Sequence, residues 1–323
     1  MIDKNFAPAS SISTEAKEYF LENFTCQSRD SQTYPDASDL EGWVAYNETE
    51  LVKRLDYNHL LMERFKPRLE ESDCGEVPVA DFRPQGWVDN GKVLVYTHGG
   101  CFVGGTATDA LDSILPLAQE SGLRVISISY TLAPHKQFEG ITDEVVSVIQ
   151  ALLSKGYSPG DIALLGDSAG ANIAAASTLK LRDTVGILPA VIALWSPWLD
   201  FGCSGDTYLT LAESEPFFTY DNLLSRALAC YVGDGNRLHP YASPLFADFT
   251  RGFPPTLLQC GTRELFLSDS VRMYRRLISS NLKAELDIYE GMWHVFQFKP
   301  IDTPEAKLAR NKTSAFIKHY LGV

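Results

Sequence analysis

From Lys92 onward the chain alternates between two textures. Short, nearly continuous apolar runs (Val93 to Thr97, Arg124 to Tyr130, Ile162 to Leu165, Ala190 to Trp195, Thr256 to Cys260, Ala284 to Tyr289) read as strands buried on both faces. Between them lie longer stretches with apolar positions every three or four residues: Asp109 to Ser121, Glu139 to Lys155, a run ending at Arg182, Ser268 to Ser280, and Pro304 to Leu321. These read as amphipathic helices. Repeated β-α-β predicts an α/β fold with a mostly parallel central sheet flanked by helices. The rhythm breaks between Trp195 and Pro255, where aromatic clusters and a helical pattern over Tyr220 to Cys230 predict an insertion over the C-terminal sheet edge, where such folds bind ligands. Residues 1 to about 65 carry helical patterns at Ser13 to Asn23 and Glu48 to Arg64 without a strand-like run, and read as a helical appendage. The Pro-, Gly- and acid-rich passage Lys66 to Glu76 reads as a boundary, Val77 to Val88 as two edge strands, and Lys92 as the start of the sheet proper.

Composition narrows the class. With 323 residues, 45% of them hydrophobic, the chain can bury a large core, and 1–323 is read as one domain. The 28 basic and 41 acidic residues leave a net charge of −13, which argues against nucleic acid and anionic membranes as partners. No apolar run approaches the roughly 20 residues of a membrane span, and the start Met1-Ile2-Asp3-Lys4-Asn5 lacks signal-peptide character, so the expected location is cytoplasmic. Cys26, Cys74, Cys101, Cys203, Cys230 and Cys260 are scattered without C-x-x-C spacing and read as free thiols rather than disulfides or a zinc site.

The candidate chemistry centres on Gly166-Asp167-Ser168-Ala169-Gly170. An apolar strand precedes it and a small-residue helix follows, the context in which a serine on a strained turn becomes a nucleophile. Such a serine needs a histidine base from another loop at the same sheet edge. His294 follows the final strand and comes after every plausible acid, matching the order Ser, acid, His, whereas His59, His135, His239 and His319 lie in the appendage, in loops or in the last helix. His98-Gly99-Gly100-Cys101 follows an early strand, so its N–H groups can meet an oxyanion together with that of Ala169. The alternative is that the glycines only shape the loop and His98 only ties it down. Asp167 is read as a brace for the turn, because neighbouring side chains there point apart, and Asp200 as structural.

With these residues in view, the chain from about Val93 to its end resembles the bacterial hormone-sensitive-lipase-like esterases, the HGGG or type IV carboxylesterases of the α/β-hydrolase fold. The likeness rests on His98-Gly99-Gly100, Tyr130-x-Leu132-Ala133-Pro134, Gly166 to Gly170, Ser196-Pro197-Trp198, Ser243-Pro244-Leu245, Pro254-Pro255 and Trp293-His294. It implies a helical cap, here about 1–65 and about 198–240, over a Ser-His-acid triad that hydrolyses short-to-medium acyl esters with no cofactor or metal. It also implies an oxyanion hole formed by Gly99, Gly100, Cys101 and Ala169, with the N–H groups of Gly100 and Cys101 as its usual lining. Cys101 departs from the family's third glycine, and Pro134-His135 and Phe138-Glu139-Gly140 from its usual pattern.

For the acid, relatives place an aspartate about 30 residues before the histidine, which lands here on Glu264. That residue also lies on the loop just past the Cys260 strand, within reach of the His294 ring. Asp269 is the alternative, although it reads as the first turn of the next helix after Ser268. Phe102, Trp198, Phe217, Phe218 and Tyr231 are candidates for the substrate pocket, and core packing is the competing reading for each. A lactone hydrolase or an acyltransferase would use the same triad. A non-catalytic small-molecule receptor on this scaffold is the other alternative, and the presence of His294 argues against it. The expected partner is a small ester; a homodimer stays open.

Overall fold

The computed structural model describes residues 6–24 and 33–323, so Cys26 lies outside the described residues. Within them eight strands form one sheet: β1 (Arg68–Cys74), β2 (Val77–Arg83), β3 (Val93–Thr97), β4 (Arg124–Ile128), β5 (Ile162–Asp167), β6 (Val191–Trp195), β7 (Thr256–Gly261) and β8 (Ala284–Tyr289). Their spatial order is β1-β2-β4-β3-β5-β6-β7-β8. The β1·β2 and β2·β4 pairs are antiparallel and the rest are parallel.

Alternation along each strand divides the core in two. Val93 and Val95 of β3 pack into the cluster completed by α4 (Phe138–Ser154), α5 (Ala169–Val185) and α8 (Leu267–Ser279). Leu94 and Tyr96 face the opposite cluster, with α3 (Leu111–Ser121) and α9 (Pro304–Leu321). Every residue of β3, β5, β6 and β7 is buried, which is why these strands show as continuous apolar runs. The chain runs from β3 outward to β4, then crosses over by α4 to β5 on the other side of β3. The sheet therefore opens a crevice beyond the C-terminal ends of β3 and β5, the topological switch point of such a fold.

The sheet begins earlier than the sequence suggests. Lys66 to Glu76 is not a boundary: it holds the edge strand β1, paired with β2 from Arg68↔Arg83 to Cys74↔Val77. Val77 to Val88 thus supplies one strand rather than two edge strands: β2 lies inside the sheet between β1 and β4, and β1 forms the edge. Gly75 and Glu76 both have φ of 62°, as a tight two-residue hairpin turn requires. The strand's exposed Glu70, Glu71 and Asp73 erased the apolar alternation, and such charges also discourage edge-to-edge pairing.

Two segments cover the crevice. In the appendage, α1 (Thr14–Asn23) packs Phe20 against Trp293, and α2 (Leu40–Phe65) starts well before the predicted Glu48 because Asp39 caps it, accepting from the Gly42 N–H at 2.9 Å. The insertion between β6 and β7 holds α6 (Thr207–Thr210), one π-helical turn (Tyr220–Leu224) and α7 (Ser225–Val232). Cys74, Cys101, Cys203, Cys230 and Cys260 are free thiols.

Candidate active site

At the end of β5 the backbone turns sharply into α5, and Ser168 sits at φ 54°, ψ −122°. A non-glycine residue there costs about 1–3 kcal/mol, so the surroundings must hold it. They do so by close backbone approach: a side chain on Gly166 would run into the Gly170 carbonyl, and one on Gly170 into the Thr97 carbonyl. Thr97 Oγ1 donates to the Gly170 carbonyl at 2.7 Å, and the Ser168 N–H donates to Trp195 O at 2.8 Å. The serine is thereby fixed to both neighbouring strands.

Three sequence-predicted residues meet above this turn. His294 Nε2 lies 2.8 Å from Ser168 Oγ, and His294 Nδ1 lies 3.0 Å from Glu264 Oε2. Burial pushes the imidazole down to about 4, which keeps it neutral at neutral pH, the form a general base needs. The same burial pushes the Glu264 carboxyl up, opposed by hydrogen bonds to its Oε1 from the Gly261 N–H at 2.5 Å and the Ser196 hydroxyl at 2.9 Å. Ser196 Oγ also accepts from the Val295 N–H at 3.0 Å, so one hydroxyl ties the acid loop to the histidine loop. Asp269 is elsewhere: its Oδ2 accepts from the Leu199 and Asp200 N–H groups at 2.8 and 3.0 Å and from the Tyr208 hydroxyl at 3.1 Å. It pins the start of the insertion to α8. Asp200 likewise serves structure, accepting from the Gly202 N–H at 2.8 Å and from Arg272 Nη1 at 2.6 Å.

The glycine loop after β3 faces the serine. His98 is buried, stacks on Tyr130 with ring centroids 4.3 Å apart, and holds its Nδ1 2.8 Å from the Gly99 carbonyl. Burial pushes its pKa down to about 4, so His98 is a neutral anchor for the loop. Asp167 accepts at Oδ1 from the Tyr96 hydroxyl and from the Gly99 N–H, the latter at 3.1 Å. Gly99 therefore does not belong with the oxyanion donors, because its N–H is already held by a carboxylate. Gly100, Cys101 and Phe102 follow with φ of 117°, 54° and 69°. The N–H groups of Gly100, Cys101 and Ala169 have no acceptor among the described residues.

A cavity of about 390 Å3 lies over Ser168, and His294, Gly100 and Cys101 help line it. Of the five aromatic candidates, Phe217 and Phe218 line this space, and Phe218 packs edge-on against His294 with centroids 5.0 Å apart. Phe102, Trp198 and Tyr231 do not line it. Phe102 stacks on Tyr231 at 3.7 Å and Trp198 on Phe266 at 5.4 Å, forming a fully buried aromatic layer behind the loop. Sequence reasoning missed Arg54 and Glu50 of α2, Asp109 and Asp112 at the start of α3, and Lys299, all of which line the cavity. Charges spaced along a helix such as α2 carry no sign in the sequence of what they face, and no local pattern marks Lys299.

Residues 94–298 match the model of a family described by the alpha/beta hydrolase fold. The chain belongs to this family. An esterase of Acinetobacter venetianus is 33% identical over 218 residues, 68% of this chain and 72% of the relative. The crystal structure of an esterase from the bacterial hormone-sensitive lipase family superposes with a TM-score of 0.77 at 32% identity, over 83% of this chain and 91% of the other. A further esterase crystal structure covers 99% of this chain and 98% of its own, with a TM-score of 0.90 and 27% identity. This α/β-hydrolase is a serine-hydrolase-type esterase acting on carboxylic esters, related to the bacterial hormone-sensitive-lipase-like branch. No helix among the described residues is long and apolar enough to cross a membrane.

Proposed function

We propose that this α/β-hydrolase cleaves short-to-medium acyl esters through Ser168, His294 and Glu264. The observation that carries the reading is the unbroken chain of contacts from Ser168 Oγ to His294 Nε2 at 2.8 Å, and from His294 Nδ1 to Glu264 at 3.0 Å, at the floor of the cavity. His294 takes the serine proton as Oγ attacks the ester carbonyl carbon, and the carbonyl oxygen becomes an oxyanion facing the N–H groups of Gly100, Cys101 and Ala169. Glu264 accepts the Nδ1–H, fixes the tautomer and stabilises the imidazolium. His294 then protonates the departing alcohol, leaving an acyl-enzyme. Water deprotonated by His294 attacks that acyl group, and its carboxylic acid product leaves as the serine is reprotonated.

Each oxyanion donor of this kind supplies about 2.7–4 kcal/mol of transition-state stabilisation. Replacing the family's third glycine by Cys101 keeps the backbone N–H, so the donor set is preserved while the thiol takes up cavity space. The acyl and alcohol portions are placed in the cavity beside Phe217 and Phe218. Hydrolysis of p-nitrophenyl esters with two to twelve acyl carbons tests the reading. Turnover should be highest among the shorter acyl chains and decline toward twelve carbons; no turnover of any member would overturn it.

A further inference from the structure

Lys299 occupies a position that the triad does not explain. It lines the chamber over Ser168 and also a second, outer cavity of about 520 Å3, and the two cavities share Arg54, Asp112, Phe217 and Phe298 along with it. Lys299 thus stands where the two spaces meet. Its carbonyl accepts from the Trp293 indole N–H at 2.8 Å, which fixes it to the loop that carries His294. Its ammonium lies 5.4 Å from the Phe217 ring centroid and 5.7 Å from that of Phe298.

The neighbouring charges are paired among themselves, two carboxylates sharing one guanidinium. Arg54 holds Asp109 at 3.1 Å and Asp112 at 2.7 Å, and Lys53 holds Glu50 at 2.5 Å. Lys299 Nζ, by contrast, has no carboxylate contact and no hydrogen-bond acceptor among the described residues, so the aromatic rings are its close company. Burial, and then the positive charge of Arg54, push its pKa down. A half-buried ammonium with no acceptor of its own among the described residues gains most from a single anionic oxygen group arriving with the ligand. A single ammonium suits a monoanion, while Asp109 and Asp112, which share the one guanidinium of Arg54, and the nearby Asp167 disfavour a dianion such as a phosphate monoester.

Resting on the esterase reading above, we propose that Lys299 is a specificity residue that selects esters carrying a second, free carboxylate. The ester carbonyl sits at Ser168 and the remote carboxylate on the Lys299 ammonium at the junction of the cavities. Monoesters of dicarboxylic acids, with the carboxylate on the acyl side, and esters of hydroxy acids, with it on the alcohol side, share this chemistry.

The test compares kcat/KM for matched anionic and neutral esters in the wild type, Lys299→Met and Lys299→Arg. Monomethyl against dimethyl adipate probes the acyl side, and 4-acetoxybenzoate against methyl 4-acetoxybenzoate the alcohol side. The anionic-to-neutral ratio should fall about tenfold or more in Lys299→Met for at least one pair and be largely restored in Lys299→Arg, as expected for a close charge pair. An unchanged ratio in both pairs, with neutral esters still cleaved, overturns the role of Lys299 and leaves the esterase reading standing. A wild type inert on all four esters overturns both. Because the readout is a ratio within each protein, a lower amount of folded variant does not mimic the effect.

Discussion

A buried carboxylate beside a buried imidazole is useful only if other groups hold the carboxylate in place, and Glu264 has two such donors on Oε1, leaving Oε2 for His294. Asp269 satisfies backbone N–H groups of the insertion instead. Replacing each by alanine therefore separates two kinds of loss. Glu264→Ala should lower kcat by up to about ten-thousandfold, the scale seen when a triad acid loses its role. Asp269→Ala should mainly lower the melting temperature, because it leaves two buried N–H groups unpaired. A normal kcat in Glu264→Ala alongside a collapsed kcat in a folded Asp269→Ala would reverse the assignment. Ser168, Glu264 and His294 could be proposed from the sequence because each follows a strand at the edge where the fold places reacting groups; β5 and β7 are the buried apolar runs expected, whereas β8 before His294 is a half-exposed edge strand carrying Glu285 and Asp287 rather than one buried on both faces. Ser196 and Lys299 were not, since what they do depends on partners distant in the chain.

At the scale of elements, the glycine loop and the insertion sort the aromatic residues by what they touch. Phe218 stands at the cavity wall against His294, while Phe102 is sealed between Tyr231 and Trp198. Phe218→Ala should enlarge the chamber and raise kcat/KM for octanoyl relative to acetyl esters. Phe102→Ala should instead cost about 3–5 kcal/mol of stability through the cavity it leaves. Measuring the chain-length profile and urea unfolding for both variants checks this; a shifted profile in Phe102→Ala with unchanged stability would contradict the placement. Sequence pattern could not tell these rings apart, because aromatic clusters look alike whether they line a pocket or fill a core. The buried strands were readable from their apolar runs, whereas the charged edge strand β1 was hidden by its exposed acids.

Across the whole molecule, the insertion and the hydrolase core are joined close to the reacting groups. Glu215 of the insertion accepts from the Phe217 N–H at 3.0 Å and from the Leu265 N–H, next to Glu264, at 3.3 Å. Burial pushes its pKa up from 4.5 to about 7, so the folded chain holds this proton more tightly than the unfolded chain. Its contribution to stability is then complete below about 4.5 and is lost as the pH rises through about 7. Thermal unfolding at pH 5 and pH 8 should show a smaller loss in Glu215→Gln than in the wild type; equal losses would exclude Glu215 as a source of the dependence. The β-α-β order and the covered crevice were visible as a rhythm and its interruption, but the depth of the chamber under α2 arises only when the appendage folds back over the sheet. The proposed chemistry starts at Ser168, the nucleophile activated by His294. Its most direct test is reaction with a fluorophosphonate, followed by peptide mass spectrometry and an ester assay on the same sample. One adduct per chain on the peptide containing Ser168, growing in step with the loss of hydrolysis and much slower in His294→Ala, is the predicted result; full labelling elsewhere, or hydrolysis that persists once Ser168 is modified, would contradict it.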